Sequence, residues 1–354
     1  MKPALLDTTN EEFAAWMSQR GQSSYRTKQV WHWIFERRAQ DFAQMSDLPK
    51  RLRTELQESW TIFCTEVIRH HVSPDGTDKL LLTCRDGRSI ECVIMVEEDR
   101  RTVCISTQVG CGMGCVFCAS GLKGLERNLT RGEILEQVLR ARNLLPAEER
   151  LTNIVVMGMG ESLANLDNLI AALDIICDSK GLGIGQRRVT ISTVGLPEKM
   201  RKLADLDRRY SLAVSLHAPT EALRDQLVPI NEKVGLTAVV EAADYYFLTT
   251  GRRVSFEYVL LRGINDRQED AQALGKLLRL RKAHVNLIPY NPVPGLPYER
   301  PSPEVIRKFV ETVDNYGVAV TVRKTKGREI DAACGQLRRQ VEADVPRLVE
   351  ISSS

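Results

Sequence analysis

The chain has 354 residues, of which 43% are apolar and 27% are charged. These proportions are ordinary for a folded protein and exclude an intrinsically disordered chain, while the length predicts two or three domains. The formal net charge is only +3, so overall charge does not identify a nucleic-acid-binding protein, and local basic clusters have to be considered instead.

Residues 1–60 predict a small helical domain. Phe13, Trp16 and Met17 recur at the spacing of one helix face, and two further apolar stripes follow before residue 60. This spacing indicates an aromatic core. The edges of the module are basic, and we interpret it as a domain that docks RNA, although a solvated face is the commoner role of such clusters. The basic residues concerned are Arg20, Arg26, Lys28, Arg37 and Arg38.

Residues 61–100 predict a three-stranded β meander. Strands are expected at about 62–70, 79–84 and 89–96, because β-rich segments are separated there by two turn sequences. The turns are Pro74-Asp75-Gly76 and Arg85-Asp86-Gly87-Arg88, which contain residues that favour tight turns. Glu91 lies inside the third strand. A glutamate there can face solvent or the interior, and the pattern leaves both orientations open.

Residues 101–325 predict alternating strands and helices. Strands are expected at 103–106, 153–157, 188–192, 210–215, 254–260, 284–288 and 318–322. Helices are expected near 131–145, 167–179, 197–206, 221–227, 235–249 and 267–281, and from Ser302 onward. Thr130 and Glu133 form a capping-box pattern at the start of the first helix. This alternation predicts a parallel sheet with right-handed crossovers, whose functional residues lie at the C-terminal ends of the strands.

The loop after the first of these strands contains Cys111, Cys115 and Cys118 in a C-x3-C-x2-C pattern. Three thiolates in one glycine-bearing loop can bind three irons of a 4Fe-4S cluster, which leaves the fourth iron open for chemistry. A structural zinc site or three unrelated buried thiols are the alternatives. A structural zinc site needs four ligands, usually in two pairs, and no histidine or fourth cysteine lies nearby in the sequence. We therefore favour the open cluster.

Two longer runs carry a family resemblance. The run from Gln108 to Gly121 and the run from Arg323 to Leu337 resemble the characteristic motifs of the RlmN/Cfr family. Its members are radical S-adenosylmethionine (SAM) enzymes that methylate an adenine of RNA. The resemblance extends from about Tyr25 to Leu337. It implies an α/β fold in which a partial (β/α)6 barrel, residues 101–325, follows the helical domain and the meander and precedes a C-terminal tail, residues 326–354.

The resemblance also implies a 4Fe-4S cluster and two SAM molecules per turnover, and it assigns SAM binding to residues at the strand ends. Gly160 and Glu161 would receive the amino group of SAM. Hydroxyl, imidazole and amide groups would bind its ribose and adenine, because such groups pair with ribose hydroxyls and adenine edges. These residues are Ser192, Ser215, Leu216, His217 and Asn291.

Three catalytic residues outside the cluster loop are implied in the same way: Cys334, Cys104 and Glu91. An adenine C2–H is neither acidic nor nucleophilic, so a radical route is needed. One SAM would methylate Cys334 by displacement, and a second, split by one electron, would activate that methyl group for addition to the adenine. Glu91 would accept the ring proton. Cys104 would attack the Cys334 sulfur, close a transient disulfide with it and release the RNA.

Within this family we expect methylation of adenine C2 in 23S rRNA, with tRNA as a further candidate substrate. Glu161 is followed by Ser162, where C2 enzymes generally carry proline and the Cfr branch, which methylates C8, carries alanine. This departure supports C8 methylation as an alternative. His217-Ala-Pro219 and the run from Arg323 to Gly327 are closer to the C2 branch. A non-catalytic iron–sulfur protein that binds RNA is the alternative from another class, and it would not require all three catalytic residues.

The nine cysteines do not show the spacing of a secreted disulfide framework. Free thiols, the lack of a signal-peptide pattern and the lack of a long apolar run together predict a cytoplasmic protein without membrane association. We expect a monomer that takes electrons from a donor such as flavodoxin. The four cysteines without an assigned role are interpreted as packing residues: Cys64, Cys84, Cys92 and Cys177.

Overall fold

The computed structural model describes residues 2–324 and 326–337. The predicted C-terminal tail, residues 326–354, is therefore described only as far as Leu337, and the last residue of the predicted barrel, Thr325, also lies outside the described residues. No helix in the described part is both long and apolar enough to cross a bilayer.

The N-terminal region folds as three helices, as predicted: α1 (Asn10–Gln19), α2 (Ser24–Phe35) and α3 (Lys50–Ser59). Phe13 and Met17 are fully buried. The Phe13 ring contacts the rings of Trp16, Trp31 and Trp60 at centroid distances of 5.5–6.1 Å. Aromatic pairs at such distances add to the stability from buried area. The expected aromatic core is confirmed.

Part of the basic edge of this module serves packing. The Arg38 guanidinium donates to the Leu145 carbonyl at 2.7 Å and to three further carbonyls of the loop that follows. Arg38 therefore clamps two regions of the chain together and is not available to a phosphate. Lys28 and Arg37 are exposed. The interpretation of this domain as an RNA-docking domain therefore depends on such exposed basic side chains.

The predicted meander consists of β1 (Glu66–Ser73), β2 (Thr77–Thr83) and β3 (Ser89–Val96), which pair antiparallel in chain order. Gly76 occupies the first turn with φ +77°, a conformation that favours glycine. Strand β1 begins four residues later than predicted. The reason is that the N–H groups of Cys64 and Thr65 bind the Glu136 carboxylate, at 2.7 and 2.8 Å, and not a strand partner.

The remaining strands and helices alternate as predicted. The strands are β4 (Arg101–Cys104), β5 (Gln108–Gly110), β6 (Leu125–Asn128), β7 (Asn153–Val156), β8 (Val189–Thr193), β9 (Ser211–Ser215), β10 (Val254–Leu260), β11 (Ala283–Pro289) and β12 (Ala319–Val322). The helices are α4 (Arg131–Leu144), α5 (Leu166–Cys177), α6 (Pro197–Asp205), α7 (Glu221–Leu227), α8 (Asn231–Val234), α9 (Leu236–Thr250), α10 (Gln268–Leu278) and α11 (Pro303–Asp314). The sequence pattern does not predict β5, β6 or α8.

Ten strands form one sheet, in the order β1-β2-β3-β4-β7-β8-β9-β10-β11-β12. From β4 to β12 all neighbouring strands are parallel, whereas β3 pairs antiparallel with β4. Parallel strands alternating with helices confirm the α/β class and the partial barrel. The meander continues the barrel sheet, so side chains on one face of β2, β3 and β4 share one environment.

Helix α4 joins the N-terminal helices to the barrel. Arg142 donates to the carbonyls of Ile34 and Phe35 at the C-terminal end of α2, where carbonyls lack an intrahelical partner. On the barrel side, Gln137 accepts from the Ser106 N–H at 2.8 Å and donates to the Ser106 carbonyl at 3.0 Å. Apolar residues from both regions belong to one continuous core. The helical module is therefore packed into the same unit as the barrel.

Candidate active site

A cavity at the C-terminal ends of the parallel strands brings most of the predicted site residues together. The predicted residues that line it are Cys111, Cys115, Cys118, Gly160, Glu161, Ser192, Ser215, His217, Asn291 and Cys334. Leu216, Glu91 and Cys104 are buried and do not line it. The cavity occupies the place where a parallel barrel carries its functional site.

The three-cysteine loop is closed by the hairpin of β5 and β6, which pair antiparallel on either side of it. Cys111 N–H donates to the Gly124 carbonyl at 3.0 Å, and Cys118 N–H donates to the Cys115 carbonyl at 3.2 Å. Gly114 has φ +71°, which allows the chain to turn sharply between the first and second cysteines. The hairpin therefore holds a compact loop whose cysteines line the cavity.

Burial raises the pKa of all three loop thiols, that of Cys111 to about 12. Backbone N–H groups two or three residues further along act in the opposite direction at Cys111 and Cys118, because they donate to the sulfur. Such N–H donors stabilise a thiolate, and hydrogen bonds to sulfur are a feature of iron–sulfur sites. A thiol must lose its proton before it can bind iron. In this buried loop, the positive charge of the irons would favour that loss.

The donor set fits a 4Fe-4S cluster better than a single ion. Within residues 2–324 and 326–337, no three His, Cys, Asp or Glu side chains converge closely enough to hold one metal ion. A 4Fe-4S cluster does not require three side chains to converge on one ion, since each thiolate binds a different iron. Arg224 is fully buried, donates to the carbonyls of Val194, Ser215 and Leu216, and attracts the Cys115 thiolate. This cation would offset the negative charge of a thiolate-bound cluster.

Gly160 and Glu161 end the loop after β7. Gly160 has φ +101°, and a Cβ there would lie 2.5 Å from the Gln108 Cβ, so only glycine fits. The buried Glu161 carboxylate accepts from the Thr193 hydroxyl at 2.6 Å and from two backbone N–H groups at 2.8 and 3.0 Å. Burial raises its pKa in spite of these bonds. A carboxylate has about four acceptor positions, so this group has room for one more donor, such as an ammonium.

The strand ends of β8 and β9 present two hydroxyls to the cavity. The Ser192 and Ser215 oxygens are 3.5 Å apart. Leu216 is fully buried behind them, where its N–H donates to the Glu257 carbonyl at 2.9 Å. Leu216 therefore supports the strand end through its backbone. These two hydroxyls can pair with a sugar diol.

His217 adopts φ +58°, a left-handed conformation that is uncommon for residues other than glycine. Its Nδ1 accepts from the Val259 N–H at 3.1 Å, and its carbonyl accepts from the Asn265 amide at 2.8 Å. Burial, with a smaller contribution from the Arg224 charge, lowers the pKa of His217 to about 3. The imidazole is therefore neutral, and because Nδ1 accepts, the proton is on Nε2.

The tail loop that carries Cys334 lies between the cluster loop and the end of β11. Ala119 N–H donates to the Gly335 carbonyl at 2.8 Å. On the other side, the Gln336 amide donates to the Pro292 carbonyl at 2.8 Å. These two bonds hold the tail cysteine in the same cavity as the three loop cysteines.

Strands β3 and β4 place Glu91 and Cys104 on one face of the sheet. Val93, two residues after Glu91, lies directly opposite Cys104. Side chains two residues apart on a strand share a face, as do directly opposed ones. Glu91 is 1% exposed and its Oε1 lies 3.1 Å from the Lys79 Nζ. Of the two orientations left open by the sequence, the structure has the interior one.

Cys104 and Cys334 are both free thiols. Burial, followed by the charge of Cys334, raises the pKa of Cys104 to about 12, while the Arg323 guanidinium acts in the opposite direction. Attraction to the Cys334 thiolate is in turn the largest contribution that raises the pKa of Arg323. Arg323 also lies 3.9 Å from the Glu257 carboxylate. One cation therefore faces both thiols.

The sequence pattern does not identify Lys79, Glu257 or Arg323 as site residues. Lys79 and Glu257 are each a charged residue at an inward position of a strand. This is the signal that could have found them, because charged side chains are almost never fully buried unless they are paired. The four cysteines interpreted as packing residues are also free thiols. Cys84 and Cys92 are buried in the core, and Cys64 and Cys177 are half-buried.

The fold and the site together define a radical SAM enzyme, with a partial parallel barrel and a C-x3-C-x2-C loop at the C-terminal ends of its strands. Residues 105–274 match the family described as "Radical SAM superfamily", and residues 4–62 match "Ribosomal RNA large subunit methyltransferase N-terminal domain". The crystal structure of a radical SAM methyltransferase from Sphaerobacter thermophilus is 43% identical, with a TM-score of 0.92 over 95% of this chain and 99% of that chain.

Two relatives indicate which family of radical SAM enzymes this chain is similar to. A protein of Rhodopirellula baltica named "Probable dual-specificity RNA methyltransferase RlmN" is 52% identical over 96% of this chain and 91% of its own length. A protein of Clostridium perfringens with the same name is 45% identical over 95% of this chain and 96% of its own length. The chain belongs to the RlmN family of radical SAM RNA methyltransferases. Membership implies a 4Fe-4S cluster and SAM as its cofactors.

Proposed function

We propose that this enzyme methylates C2 of an adenosine in 23S rRNA through an S-methylcysteine intermediate on Cys334, and that tRNA is a second substrate. One observation carries this proposal: Cys334 lines the same cavity as the cluster cysteines and the residues proposed to bind SAM. A carrier thiol must meet both the methyl donor and the RNA base. The relatives are named as dual-specificity RNA methyltransferases, which supports more than one RNA substrate.

The cavity residues divide the binding of SAM between them. The three loop cysteines hold the cluster, which supplies, when bound, the electron that splits SAM. The Glu161 carboxylate, with its remaining acceptor position, takes the amino group beside Gly160. The two strand-end serines bind the ribose, and Asn291 and the neutral His217 bind the adenine end by hydrogen bonds.

The two thiols act in succession. Cys334, which the Arg323 guanidinium faces, attacks the methyl group of SAM as a thiolate; the sulfur–methyl bond forms as the bond to the sulfonium breaks. After the methylene carbon has joined the adenine, Glu91 takes the ring proton. Cys104 then attacks the Cys334 sulfur. The disulfide forms as the carbon–sulfur bond to the RNA breaks, and the released carbon keeps the electron pair of that bond and takes up a proton to become the methyl group.

Ser162 does not favour the C8 alternative. It is the first residue of a short helical turn, Ser162–Asn165, which the Glu161 carboxylate caps by accepting the Leu163 N–H at 3.0 Å. Proline is well tolerated at the first position of a helix, because its missing N–H has no intrahelical partner there. The Ser162 hydroxyl donates to the Val156 carbonyl at 3.2 Å. Serine and proline therefore fit the same backbone at this position.

We further propose a cytoplasmic monomer that receives its electron from a flavodoxin-type donor. Nine cysteines that are all free thiols suit a reducing compartment. The alternative of a non-catalytic iron–sulfur protein gives no reason to bury Glu91 and Cys104 or to place Arg323 beside the two thiols, since a purely structural cluster needs none of them.

Mass spectrometry of nucleosides from 23S rRNA and tRNA tests the function. Cells that lack the gene are complemented with the wild-type chain, with Cys334→Ala, or with Cys177→Ala as a matched cysteine control. We expect 2-methyladenosine with the wild-type chain and the control, and none with Cys334→Ala. The appearance of 8-methyladenosine would favour the C8 alternative, and the absence of any methyladenosine would refute the proposed activity.

A further inference from the structure

Lys79 is a buried cation that the reaction sequence described so far does not use. Its side chain is 3% exposed, and its Nζ lies 3.1 Å from the Glu91 Oε1, whose side chain is 2% exposed. A buried ammonium is costly unless it is paired and hydrogen-bonded, so Lys79 would be replaced by an apolar residue at little cost if it served only packing. Its presence inside a strand calls for a functional explanation.

The strand register explains why these two charges meet. Leu81 lies directly opposite Glu91, and Lys79 lies directly opposite Val93, which itself faces Cys104 on the next strand. Lys79, Glu91 and Cys104 therefore point from three adjacent strands into the same side of the sheet. The ammonium and the carboxylate are diagonal neighbours, close enough for long side chains to pair.

The same ammonium also binds the tail. Lys79 Nζ donates to the Asp331 carbonyl at 3.2 Å, three residues before Cys334. A second bond fastens the tail nearby, since the Gly327 N–H donates to the Asp75 carboxylate at 2.8 Å in the turn before β2. Gly327 has φ +63°, and a Cβ there would lie 2.6 Å from the Ala332 Cβ. The tail thus lies against the first hairpin of the meander.

We propose that Lys79 is a positioning residue that keeps Glu91 in its carboxylate form and fixes the Cys334 loop above it, so that the proton acceptor and the methyl carrier meet the same adenine. This inference rests on the proposed function. One ammonium has three donors and can hold both groups at once. When the ring C–H proton moves to Glu91, the electron pair of that bond stays in the ring, and Lys79 retains its proton.

Other titratable groups lie near Glu91 on the elements packed against it. Cys92 on β3 and Cys104 on β4 are buried thiols, and burial raises the pKa of both, that of Cys104 to about 12. Helix α4 contacts β3 and brings Arg140 and Glu136. Arg140 stays charged, and the Glu136 carboxylate is occupied by the Cys64 and Thr65 N–H groups. The tail contributes Asp331 through its carbonyl, and Arg323 faces the two thiols.

The test follows the covalent protein–RNA species in a single turnover of reconstituted Lys79→Met with labelled RNA, on denaturing gels between pH 6.5 and 9. Removing an opposite charge raises the pKa of a buried carboxyl by about 1–3 units. We therefore expect resolution of the adduct at pH 7 to slow, by about tenfold for each unit by which the carboxyl pKa in this variant lies above 7. The rate should recover as the pH rises, because Glu91 then ionises without Lys79.

Three further variants make the test specific. Lys79→Met/Glu91→Gln should retain the adduct at every pH, because glutamine cannot accept the proton. Lys79→Arg keeps the charge and should resolve the adduct at pH 7. If Lys79→Met does not fold, judged by circular dichroism, Lys79→Gln takes its place in the same assay. Methylation of Cys334, measured by mass spectrometry of the intact protein, should persist in every folded variant.

Two outcomes would overturn the inference: resolution by the neutral variant at the wild-type rate at pH 7, or slow resolution that no increase in pH restores. The first would mean that the charge is not needed, and the second that Lys79 does not act by keeping Glu91 ionised. Failure of the proposed function is distinguishable from both, because the wild-type chain would then form neither an adduct nor a methyladenosine.

Discussion

The Ser106 hydroxyl donates to the backbone carbonyl of Glu91 at 2.6 Å. The same oxygen accepts the Met159 N–H at 2.8 Å, so one buried hydroxyl joins β3 to the loop that ends in Gly160. Ser106→Ala leaves two buried backbone groups without this partner. We expect the free energy of unfolding to fall by about 1–3 kcal/mol, measured by urea denaturation. Ser18→Ala, at an exposed position of α1, is the matched control and should change it by less than about 0.5 kcal/mol.

The three loop cysteines should each be needed for the cluster. Anaerobically reconstituted wild-type protein should contain about four irons and four sulfides per chain. Cys111→Ala, Cys115→Ala and Cys118→Ala should each lose most of this content, because each removes the ligand of one iron. Iron and sulfide analysis with EPR of the reduced protein measures the loss, and Cys177→Ala should retain the cluster. An unchanged EPR signal in all three variants would exclude the proposed ligands.

Cys104 and Cys334 should give variants that differ in kind. Cys334→Ala removes the proposed methyl carrier, so no covalent RNA species should form. Cys104→Ala retains the carrier and removes only the thiol that attacks the Cys334 sulfur, so the RNA should remain attached to the protein. Denaturing gels with labelled RNA should show a shifted band for Cys104→Ala and none for the double variant. A shifted band in Cys334→Ala would mean that another residue carries the methyl group.

His217 should make the metal-free protein less stable in acid. Its pKa of about 3 in the folded state lies below that of an unfolded histidine, near 6.5. At a pH between these two pKa values, the unfolded chain binds a proton on His217 that the folded chain does not. The contribution of the neutral His217 to the free energy of unfolding is therefore present above pH 6.5 and is lost as the pH falls. The loss amounts to about 2 kcal/mol between pH 7.5 and pH 5.

Urea denaturation of wild-type and His217→Asn protein across that range measures the effect. Asparagine tolerates the left-handed conformation and does not titrate. The difference in unfolding free energy between the two proteins should therefore change with pH by the same amount. Equal slopes for the two proteins would show that His217 can be protonated in the folded state.

The helical module should bind RNA through its exposed basic side chains. Lys28→Ala/Arg37→Ala should weaken RNA binding and lower the slope of the salt dependence by about one unit for each phosphate that is no longer neutralised. Binding titrations at several salt concentrations measure both. Lys276→Ala/Arg279→Ala removes the same charge from exposed positions in the last turn of α10 and directly after it and should have little effect. Equal weakening in the two double variants would mean that only overall charge matters.

Most of the fold follows from local patterns. The strand predicted at 254–260 coincides with β10, and the predicted capping box at Thr130 is present, with the Glu133 N–H donating to its hydroxyl at 3.1 Å. The hairpin around the cluster loop does not follow from the sequence. Its strands, Gln108–Gly110 and Leu125–Asn128, are three and four residues long, and the second is mostly exposed. Such segments show no apolar periodicity, since they pair around the loop outside the main sheet.

Sequence motifs predict only part of the candidate site. The resemblance names residues that line the cavity, but it does not tell which way Glu91 faces, because that depends on Lys79, twelve residues earlier and on another strand. Glu257 and Arg323 meet only after β10 and β12 have joined the sheet on either side of β11. Charge pairs between strands depend on register, and no local pattern in one strand gives the register of its neighbour.

The bonds between the tail and the first hairpin link residues 252 positions apart, Lys79 to Asp331 and Asp75 to Gly327. At about 5–20 residues per second of synthesis, roughly 13–50 s separate the appearance of their two ends. A growing chain can therefore complete the cluster loop well before Cys334 exists. If that loop binds the cluster, iron can enter during translation, whereas the tail contacts form only late in synthesis, so an interrupted chain would bind iron without the thiol that we propose to carry the methyl group.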